Sequence, residues 1–557
     1  MAGQLLGFVG FDDNGLEGLE RSLDKNLGCM PTRQIMQRDA MGRRFYMREE
    51  GQEDPHGDDV TLTIDVQMQF FAEEAIARAV KDAEARWGGA LVVHVPSGEI
   101  LAWAQYPFFN PNSFKQFRPQ IYRNRMSQDA MEPGSTFKSI VLAAALEEGV
   151  VDENSTFDCP GYYMVNGVRI NCSKVQGHGH QTLAEAVQNS CNPAFMQIGQ
   201  RLGLSKFYDY FEAFGMTEQT GIDLPGEASL KDAYWSREKM TNVDLAVASF
   251  GQRFEVTPLQ MITAFAATIN GGDLVKPYVV QSVSTRDKTV AENTQPTVVR
   301  QVVSQETSQR VSKILESVVS EGTGKNAYVA GYRIGGKTGS SETQEEGRTI
   351  VSFMGFAPAD DPEVIVLLAY DKPQEASPGS HYSTTGVYIS GGNMAAPKVG
   401  PLIADILDYM GVEKKYTAEE SAAVDVVTPQ VSGMTVDAAE STLRKKGLSS
   451  RTVGEGDTVT AQIPASGAAV PGGSKVILYL GSAAPEETGT VPNVVGLGYE
   501  SAKKRLEDSG FFMRASGVST YYGNSTTASG QSVASGETAP IGTVIEVQFS
   551  NVVEDGL

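Results

Sequence analysis

Long hydrophobic runs are missing from this chain. No stretch of its 557 residues approaches the roughly 18 consecutive apolar residues of a membrane-spanning helix. Met1 to Asn14 lacks the basic start and apolar core of a secretory leader. Cysteine is scarce: four residues cannot staple so long a chain, and no CxxC pair marks a zinc knuckle. Positive charge is in deficit, with 46 Lys and Arg against 68 Asp and Glu and a formal net charge of −22. That balance excludes the basic footprint of a nucleic-acid binder and argues against holding anionic lipid by general electrostatics. What remains is an acidic chain whose 41% hydrophobic content can bury a large core, long enough for three or four domains.

The organisation follows from composition and periodicity. Residues 1–56 carry a Gly-rich opening, Gly7-Phe8-Val9-Gly10, and a polar segment with Arg38, Arg43 and Arg44; their core-building content is low for an independent domain. Residues 57–410 read as one large α+β unit. Asp65 is placed to cap a helix from Val66 to Arg86. The apolar run Gly89 to Val95, the turn Pro96-Ser97-Gly98-Glu99 and the run Ile100 to Ala104 form a hairpin, which favours an antiparallel sheet over a doubly wound parallel one. Val351 to Phe356 and Val364 to Ala369 repeat the pattern, and a helix near Ala395 to Met410 closes the unit. Beyond Gly411 the chain turns to Ala, Ser, Thr, Glu and Gly, and an internal repeat appears. Pro429, Gly433, Ala439, Leu443 and Gly447 recur as Pro492, Gly496, Ala502, Leu506 and Gly510, defining small α/β modules at 424–481 and 489–551 between linkers.

Chemistry concentrates in three places. Glu132-Pro133-Gly134-Ser135-Thr136-Phe137-Lys138 precedes an apolar helical run. Ser135 therefore lies near a helix N-terminus with Lys138 one turn further on the same face. Backbone N–H groups and the helix dipole there favour a developing oxyanion. The same positive end disfavours a charged lysine; a fall of about three pKa units, roughly 4 kcal/mol, leaves an amine able to take the serine proton. Alone the spacing carries little, since Ser22 and Lys25, Ser236 and Lys239, and Ser501 and Lys504 share it. Ser190-Cys191-Asn192, after the helical run Leu183 to Asn189, adds a hydroxyl and a carboxamide. Gly335-Gly336-Lys337-Thr338-Gly339-Ser340 adds glycines that admit a substrate backbone to a strand edge, with Lys337 and Thr338 to bind a carboxylate.

In this order the three motifs are the signature of serine penicillin-recognising enzymes. The chain resembles a class B high-molecular-weight penicillin-binding protein, a peptidoglycan transpeptidase, over essentially its full length. Gly7-Phe8-Val9-Gly10 resembles the end of that family's N-terminal pedestal, and Val491-Pro492-Asn493-Val494-Val495-Gly496 resembles a PASTA module. The resemblance implies a penicillin-binding, serine β-lactamase-like domain with two PASTA modules and a pedestal remnant. It implies Ser135 as the acylated nucleophile, Lys138 as general base, and Ser190 and Asn192 as proton relay and substrate contact. Lys337, Thr338 and Gly339 then belong to the carboxylate-binding strand, and backbone N–H groups of Ser135 and Ser340 form the oxyanion hole. Whether Lys138 alone is the base stays open. The implied partners are stem peptides (a D-Ala-D-Ala donor and an amine acceptor), β-lactams and a membrane-embedded glycosyltransferase. No cofactor is called for. The implied place is the outer face of the cell membrane, with one N-terminal anchoring helix that this chain lacks.

Two other functional classes compete. A serine β-lactamase or D,D-carboxypeptidase carries the same motifs, and Glu238 to Asn242 has the Glu-x-x-x-Asn spacing of a deacylating glutamate. A wall-binding or signalling protein with a degenerate catalytic domain is the other; intact motifs speak against it. No aromatic or basic stripe is evident in the first repeat, which favours support of the catalytic domain over muropeptide binding. Cys172 and Cys191 lie between and inside the motifs. Buried free thiols are the default, with Cys29 and Cys159 as further examples. In the sporulation-specific branch that the chain resembles, such a pair implies a redox disulfide that distorts Ser190 to Asn192 and blocks activity. His178 and His180, with no carboxylate or cysteine cluster beside them in sequence, read as a loop near the cleft, not as a metal site. Asp65, Glu99 and Asp129 read as caps and turns, and the Arg38, Arg43, Arg44 set as a salt-bridged surface.

Overall fold

The computed structural model describes residues 1–28, 35–38, 40–42, 44–47, 57–285, 289–342, 349–416, 420, 425–481, 488–516 and 526–551. Cys29, Arg43 and most of both linkers lie outside the described residues.

Helix α1 (Val66–Asp82) begins as its sequence dictates. The Asp65 carboxylate accepts the backbone N–H of Gln67 at 2.8 Å and of Met68 at 3.0 Å, satisfying two otherwise orphaned donors. The helix stops short of the expected Arg86 because Glu84 takes a left-handed conformation, φ 47°, which turns the chain into the sheet. Strands β1 (Trp87–His94) and β2 (Ile100–Tyr106) form the expected hairpin. Across the sheet the order is β3 (Gly335–Glu342), β4 (Thr349–Ala357), β5 (Val364–Asp371), β1, β2, with every neighbour antiparallel.

Period-two alternation divides this sheet between two cores. Leu91, Val93, Met354, Phe356, Ile365 and Leu367 face one lobe, where Phe137, Leu142, Phe195 and Phe265 meet them. Ala90, Val92, Phe353, Val366 and Leu368 face the other, against Ile76 and Val80 of α1 and Val399, Ile403 and Leu407 of the closing helix Ala396–Met410. Burial on both faces explains why the central strands read as continuous apolar runs. Strand β3, rich in glycine and hydroxyls, occupies the edge beside the helical lobe.

Residues 1–28 build no core of their own. Leu5 and Leu19 join the main core, and Phe8 stacks on Phe114 at 4.1 Å and meets Tyr122 edge-on at 4.9 Å. Strand Asp59–Leu62 pairs with Val280–Ser284. Each C-terminal repeat carries a helix, Val436–Lys445 or Tyr499–Asp508, on a three-stranded sheet with one parallel and one antiparallel pairing. A glutamine repeats as a brace: Gln462 accepts the Val431 N–H at 2.8 Å, and Gln531 the Val494 N–H at 2.9 Å. The two modules touch through Phe512, which enters the first module's core, and through an Arg514–Asp425 pair at 2.8 Å. Among the described residues no helix is long and apolar enough to cross a membrane.

Candidate active site

Ser135 lies in a single 3-10 turn, Gly134–Phe137, that runs into helix α2 (Lys138–Glu147). Local bonds fix the turn: Thr136 Oγ1 donates to Pro133 O at 2.7 Å and Ser139 Oγ to Thr136 O at 2.8 Å. Phe137, 1% exposed, anchors it edge-on against Phe254 at 4.7 Å and Phe211 at 6.0 Å. Burying such a ring contributes about 1.5–3 kcal/mol, so the turn is held from below by packing.

Lys138 is fully buried. Its Nζ donates to Ser190 O at 2.6 Å, Asn192 Oδ1 at 2.6 Å and Ser190 Oγ at 3.2 Å, with the Phe195 ring 5.3 Å away. Lys337, equally buried, donates to the same Ser190 Oγ at 2.8 Å and to Thr338 O at 3.2 Å. Taking an ammonium out of water costs several kcal/mol; charge-assisted hydrogen bonds, about 1.5–3 kcal/mol each, offset it. The hydroxyl of Ser190 is thus the shared link between two buried amines that are far apart in sequence. Ser190 itself is held at φ 51°, an unusual conformation for a residue with a side chain, between helix Leu183–Gln188 and helix α3 (Asn192–Leu202).

The lysine–threonine–glycine motif is edge strand β3, in register as Lys337↔Met354, Thr338↔Phe353 and Ser340↔Val351. Its alternation sends Lys337, Gly339 and Ser341 toward the helical lobe; Ser341 Oγ donates to Glu132 O at 3.1 Å. A Cβ at Gly339 would stand 2.3 Å from Ser352 Oγ and 3.0 Å from Thr136 Cγ2, so only glycine lets the strand close on the Ser135 turn. On the other face Thr338 Oγ1 is 3.1 Å from Thr323 Oγ1, and Ser340 Oγ accepts the Gly391 N–H at 3.1 Å. The backbone at Gly134 lies against Ser340 O, which puts the proposed oxyanion residues, Ser135 and Ser340, on adjoining segments.

Beside the turn, burial pushes the Glu132 carboxyl above its ordinary value, against the Arg253 N–H that it accepts at 2.9 Å. Glu132, Tyr208, Lys239, Arg253 and Glu255 help line a cavity of about 1110 Å³. Glu238 and Asn242, the pair expected of a deacylating site, are both exposed. Glu99 accepts from Ser97 Oγ at 2.8 Å and Asp129 pairs with Arg123, as caps and turns should.

The cysteines require a correction. Cys159, Cys172 and Cys191 are buried free thiols and do not lie apart from one another. Nor does His178 stand apart from cysteine. One ligand atom from each of Cys159, Cys172, His178 and Cys191 lies within 4.8 Å of all the others, where the sequence reading called for no metal site. The reason is tertiary: strand Thr156–Cys159 pairs with Gly179–Thr182, and the hairpin Tyr162–Val165, Val168–Asn171 folds the intervening chain back. The thiols share their protons unevenly. Hydrogen bonding to Cys191 draws Cys172 down to about 3 and Cys159 to about 6, while the same two sulfurs push Cys191 up. Burial opposes protonation of His178, but its bonds to Cys172 and Cys159 raise it overall. His180 points elsewhere, pairing with Asp158 at 2.9 Å on the surface.

Three contributors had escaped notice in the sequence. Thr323, Phe195 and the Phe137 anchor are ordinary residue types whose roles depend on long-range packing. Cys159 carried a signal only in company, as the first of three cysteines and a histidine between residues 159 and 191.

Comparison with known proteins agrees with this geometry. Residues 88–388 match the penicillin binding protein transpeptidase domain, and 426–482 and 489–551 match the PASTA domain. The chain is 39% identical over 496 residues to stage V sporulation protein D of Bacillus subtilis, covering 86% of this chain and 74% of that one. It is 30% identical over 416 residues to peptidoglycan D,D-transpeptidase FtsI of Escherichia coli, covering 73% and 66%. Penicillin binding protein 3 of Mycobacterium tuberculosis, solved with aztreonam, superposes with a TM-score of 0.64 at 26% identity, covering 74% of this chain and 89% of that one. The chain belongs to the penicillin-binding protein transpeptidase family, with two PASTA domains behind its transpeptidase domain.

Proposed function

We propose that the chain is a serine D,D-transpeptidase that cross-links peptidoglycan stem peptides through an acyl-enzyme on Ser135. Ser135 Oγ attacks the D-Ala-D-Ala carbonyl while Lys138 takes its proton, directly or by way of Ser190. The proton then passes to the departing D-Ala amine through the Ser190 hydroxyl. Lys337 and Thr338 hold the donor carboxylate on β3, Asn192 fixes Lys138 and the donor amide, and Gly339 admits the substrate backbone. Backbone N–H groups of Ser135 and Ser340 receive the oxyanion. A second stem-peptide amine then takes the acyl group and frees the enzyme.

The observation that carries this reading is the Ser190 hydroxyl, 3.2 Å from Lys138 Nζ and 2.8 Å from Lys337 Nζ, poised for transfer in both directions. A β-lactam occupies the donor position and leaves a slowly hydrolysed acyl-enzyme; the aztreonam and ampicillin complexes of the mycobacterial relative support this. The units are a pedestal-like segment at 1–56, a transpeptidase domain at 57–410 and PASTA domains at 424–481 and 489–551. Similarity to a sporulation protein supports work on the spore wall, at the outer face of the cell membrane and beside a membrane-embedded glycosyltransferase. Fluorescent-penicillin labelling with parallel nitrocefin turnover tests the reaction class. A stoichiometric, long-lived adduct is expected, and rapid multiple turnover of nitrocefin would establish a hydrolase instead.

A further inference from the structure

We propose that the cavity beside the Ser135 turn binds the sugar-bearing half of a stem peptide, with Trp235 as the platform for a sugar ring and Lys231 and Lys239 holding the peptide's carboxylates. This rests on the transpeptidase reading and names a place for the part of the substrate that β3 does not hold. About four residues separate the bond that Ser135 cuts from the sugar, an extended span of at most roughly 14 Å. With the D-Ala end on β3, the remainder needs a surface continuous with the Ser135 turn. The cavity, about 1110 Å³, exceeds the roughly 300–1,000 Å³ of common small-molecule pockets and suits an extended ligand.

The cavity shares a wall with the nucleophile. Glu132, on the segment that leads into Ser135, accepts the Arg253 N–H at 2.9 Å, and its backbone oxygen accepts Ser341 Oγ of β3 at 3.1 Å. The Gly134 N–H donates to Gly251 O at 2.9 Å, and Phe254 packs edge-on against Phe137 at 4.7 Å. Arg253 is held on this wall at φ 67°, with its guanidinium on Asp244 at 2.9 Å. Left-handed residues that carry side chains are uncommon, and they gather at ligand clamps and active sites.

A second wall, the segment from Lys231 to Lys239, presents an aromatic ring on a fixed backbone. Tyr208 Oη donates to Trp235 O at 3.1 Å, the Glu255 N–H to Ala233 O at 2.9 Å and Tyr234 Oη to Thr217 O at 3.3 Å. The Tyr234 ring packs on Phe211 at 5.7 Å, and Phe211 meets Phe254 at 5.1 Å. Trp235 nevertheless stays 46% exposed, against 7% for Trp87 and 1% for Trp103. An indole held this way offers a flat apolar face at little cost in entropy. Lys231 and Lys239, both exposed at the cavity, make no salt bridge among the described residues, so their charge is open to a ligand carboxylate. Glu132, Asp232 and Glu255 line the same cavity and can accept from N–H donors. An acidic peptide with a free amine and an acetamido sugar presents all three features: carboxylates, N–H donors and a ring face.

A disaccharide-tripeptide without D-Ala-D-Ala, which cannot acylate Ser135, tests the site on the full chain. Of the three tryptophans only Trp235 is exposed, and neither PASTA module contains one, so tryptophan fluorescence reports on this cavity. A saturable change is expected, and the same tripeptide without its sugars should bind at least tenfold more weakly. The double variant Lys231→Ala, Lys239→Ala should weaken the disaccharide-tripeptide at least tenfold by fluorescence, and Trp235→Ala at least tenfold by calorimetry. Melting curves establish that the variants fold; where one melts early, the comparison with and without sugars on the parent chain decides. A flat titration of the parent, equal affinity with and without the sugars, or parental affinity in Trp235→Ala overturns the site. Failure of fluorescent penicillin to acylate the parent would overturn the transpeptidase reading instead, whatever the titration shows.

Discussion

Replacing Ser190 by alanine removes one oxygen and two bonds. The hydroxyl accepts from Lys337 Nζ at 2.8 Å and from Lys138 Nζ at 3.2 Å, each worth about 1.5–3 kcal/mol as a charge-assisted bond. If about half of that sum is expressed only as the proton moves, the barrier to acylation rises by roughly 1.5–3 kcal/mol. At 1.36 kcal/mol per decade this is about a 10- to 150-fold loss of rate, reaching into the range of general acid–base catalysis. The assay is the second-order acylation rate with fluorescent penicillin, with melting followed in parallel. Ser190→Gly separates chemistry from folding. At φ 51° glycine relieves the backbone that alanine would strain by about 1 kcal/mol, so the glycine variant melts no lower than the alanine variant yet acylates as slowly. Acylation of a folded Ser190→Ala protein within threefold of the parent would refute the relay.

Gly339→Ala places a methyl 2.3 Å from Ser352 Oγ, so a loss of about 1–3 kcal/mol is expected, read as a lower melting temperature together with slower acylation. Glu132 gives a pH signature. Its folded carboxyl sits above the ordinary 4.5, so the native state binds more protons than the unfolded chain in the window that begins there, and stability falls as pH rises through it. Glu132→Gln, whose Oε1 can still accept the Arg253 N–H, should raise the melting temperature more at pH 7 than at pH 4; an equal offset at both would contradict the assignment. Gln462→Ala leaves the Val431 N–H and the Pro429 and Pro464 carbonyls unpaired, at about 1–3 kcal/mol per buried group. Proteolytic susceptibility of the first PASTA module should rise while acylation stays within twofold, which checks that Gln462 braces that module and not the active site.

Local rules carried the sequence a long way. Asp65 capped its helix, the Pro96 to Glu99 turn gave its hairpin, and the serine–lysine spacing placed Ser135 and Lys138 on one turn, because each of these depends on neighbours a few residues away. The repeat in the C-terminal region was legible for the same reason, since Ala439 and Leu443 recur on one helix face. Long-range convergence was not legible. Lys337 meets Ser190 across 147 residues of separation, and only the sheet order, with β3 at the edge, brings them together. The need for glycine at Gly339 shows only once Ser352 and Thr136 are seen to fill the space around it. Helix α1 ends at Asp82 because Glu84 turns left-handed, a choice that no helix propensity encodes. The cysteine cluster was hidden because its four members come from a strand, a hairpin end, a loop and a helix cap, with no pair close enough in sequence to announce it.

The central claim is that Ser135 is the residue acylated. Incubating the full chain with penicillin, digesting it and locating the adduct by mass spectrometry tests that claim most directly. The account predicts one adduct per chain on the peptide containing Ser135, and none in Ser135→Ala. An adduct on another residue, or undiminished labelling of Ser135→Ala, would contradict it.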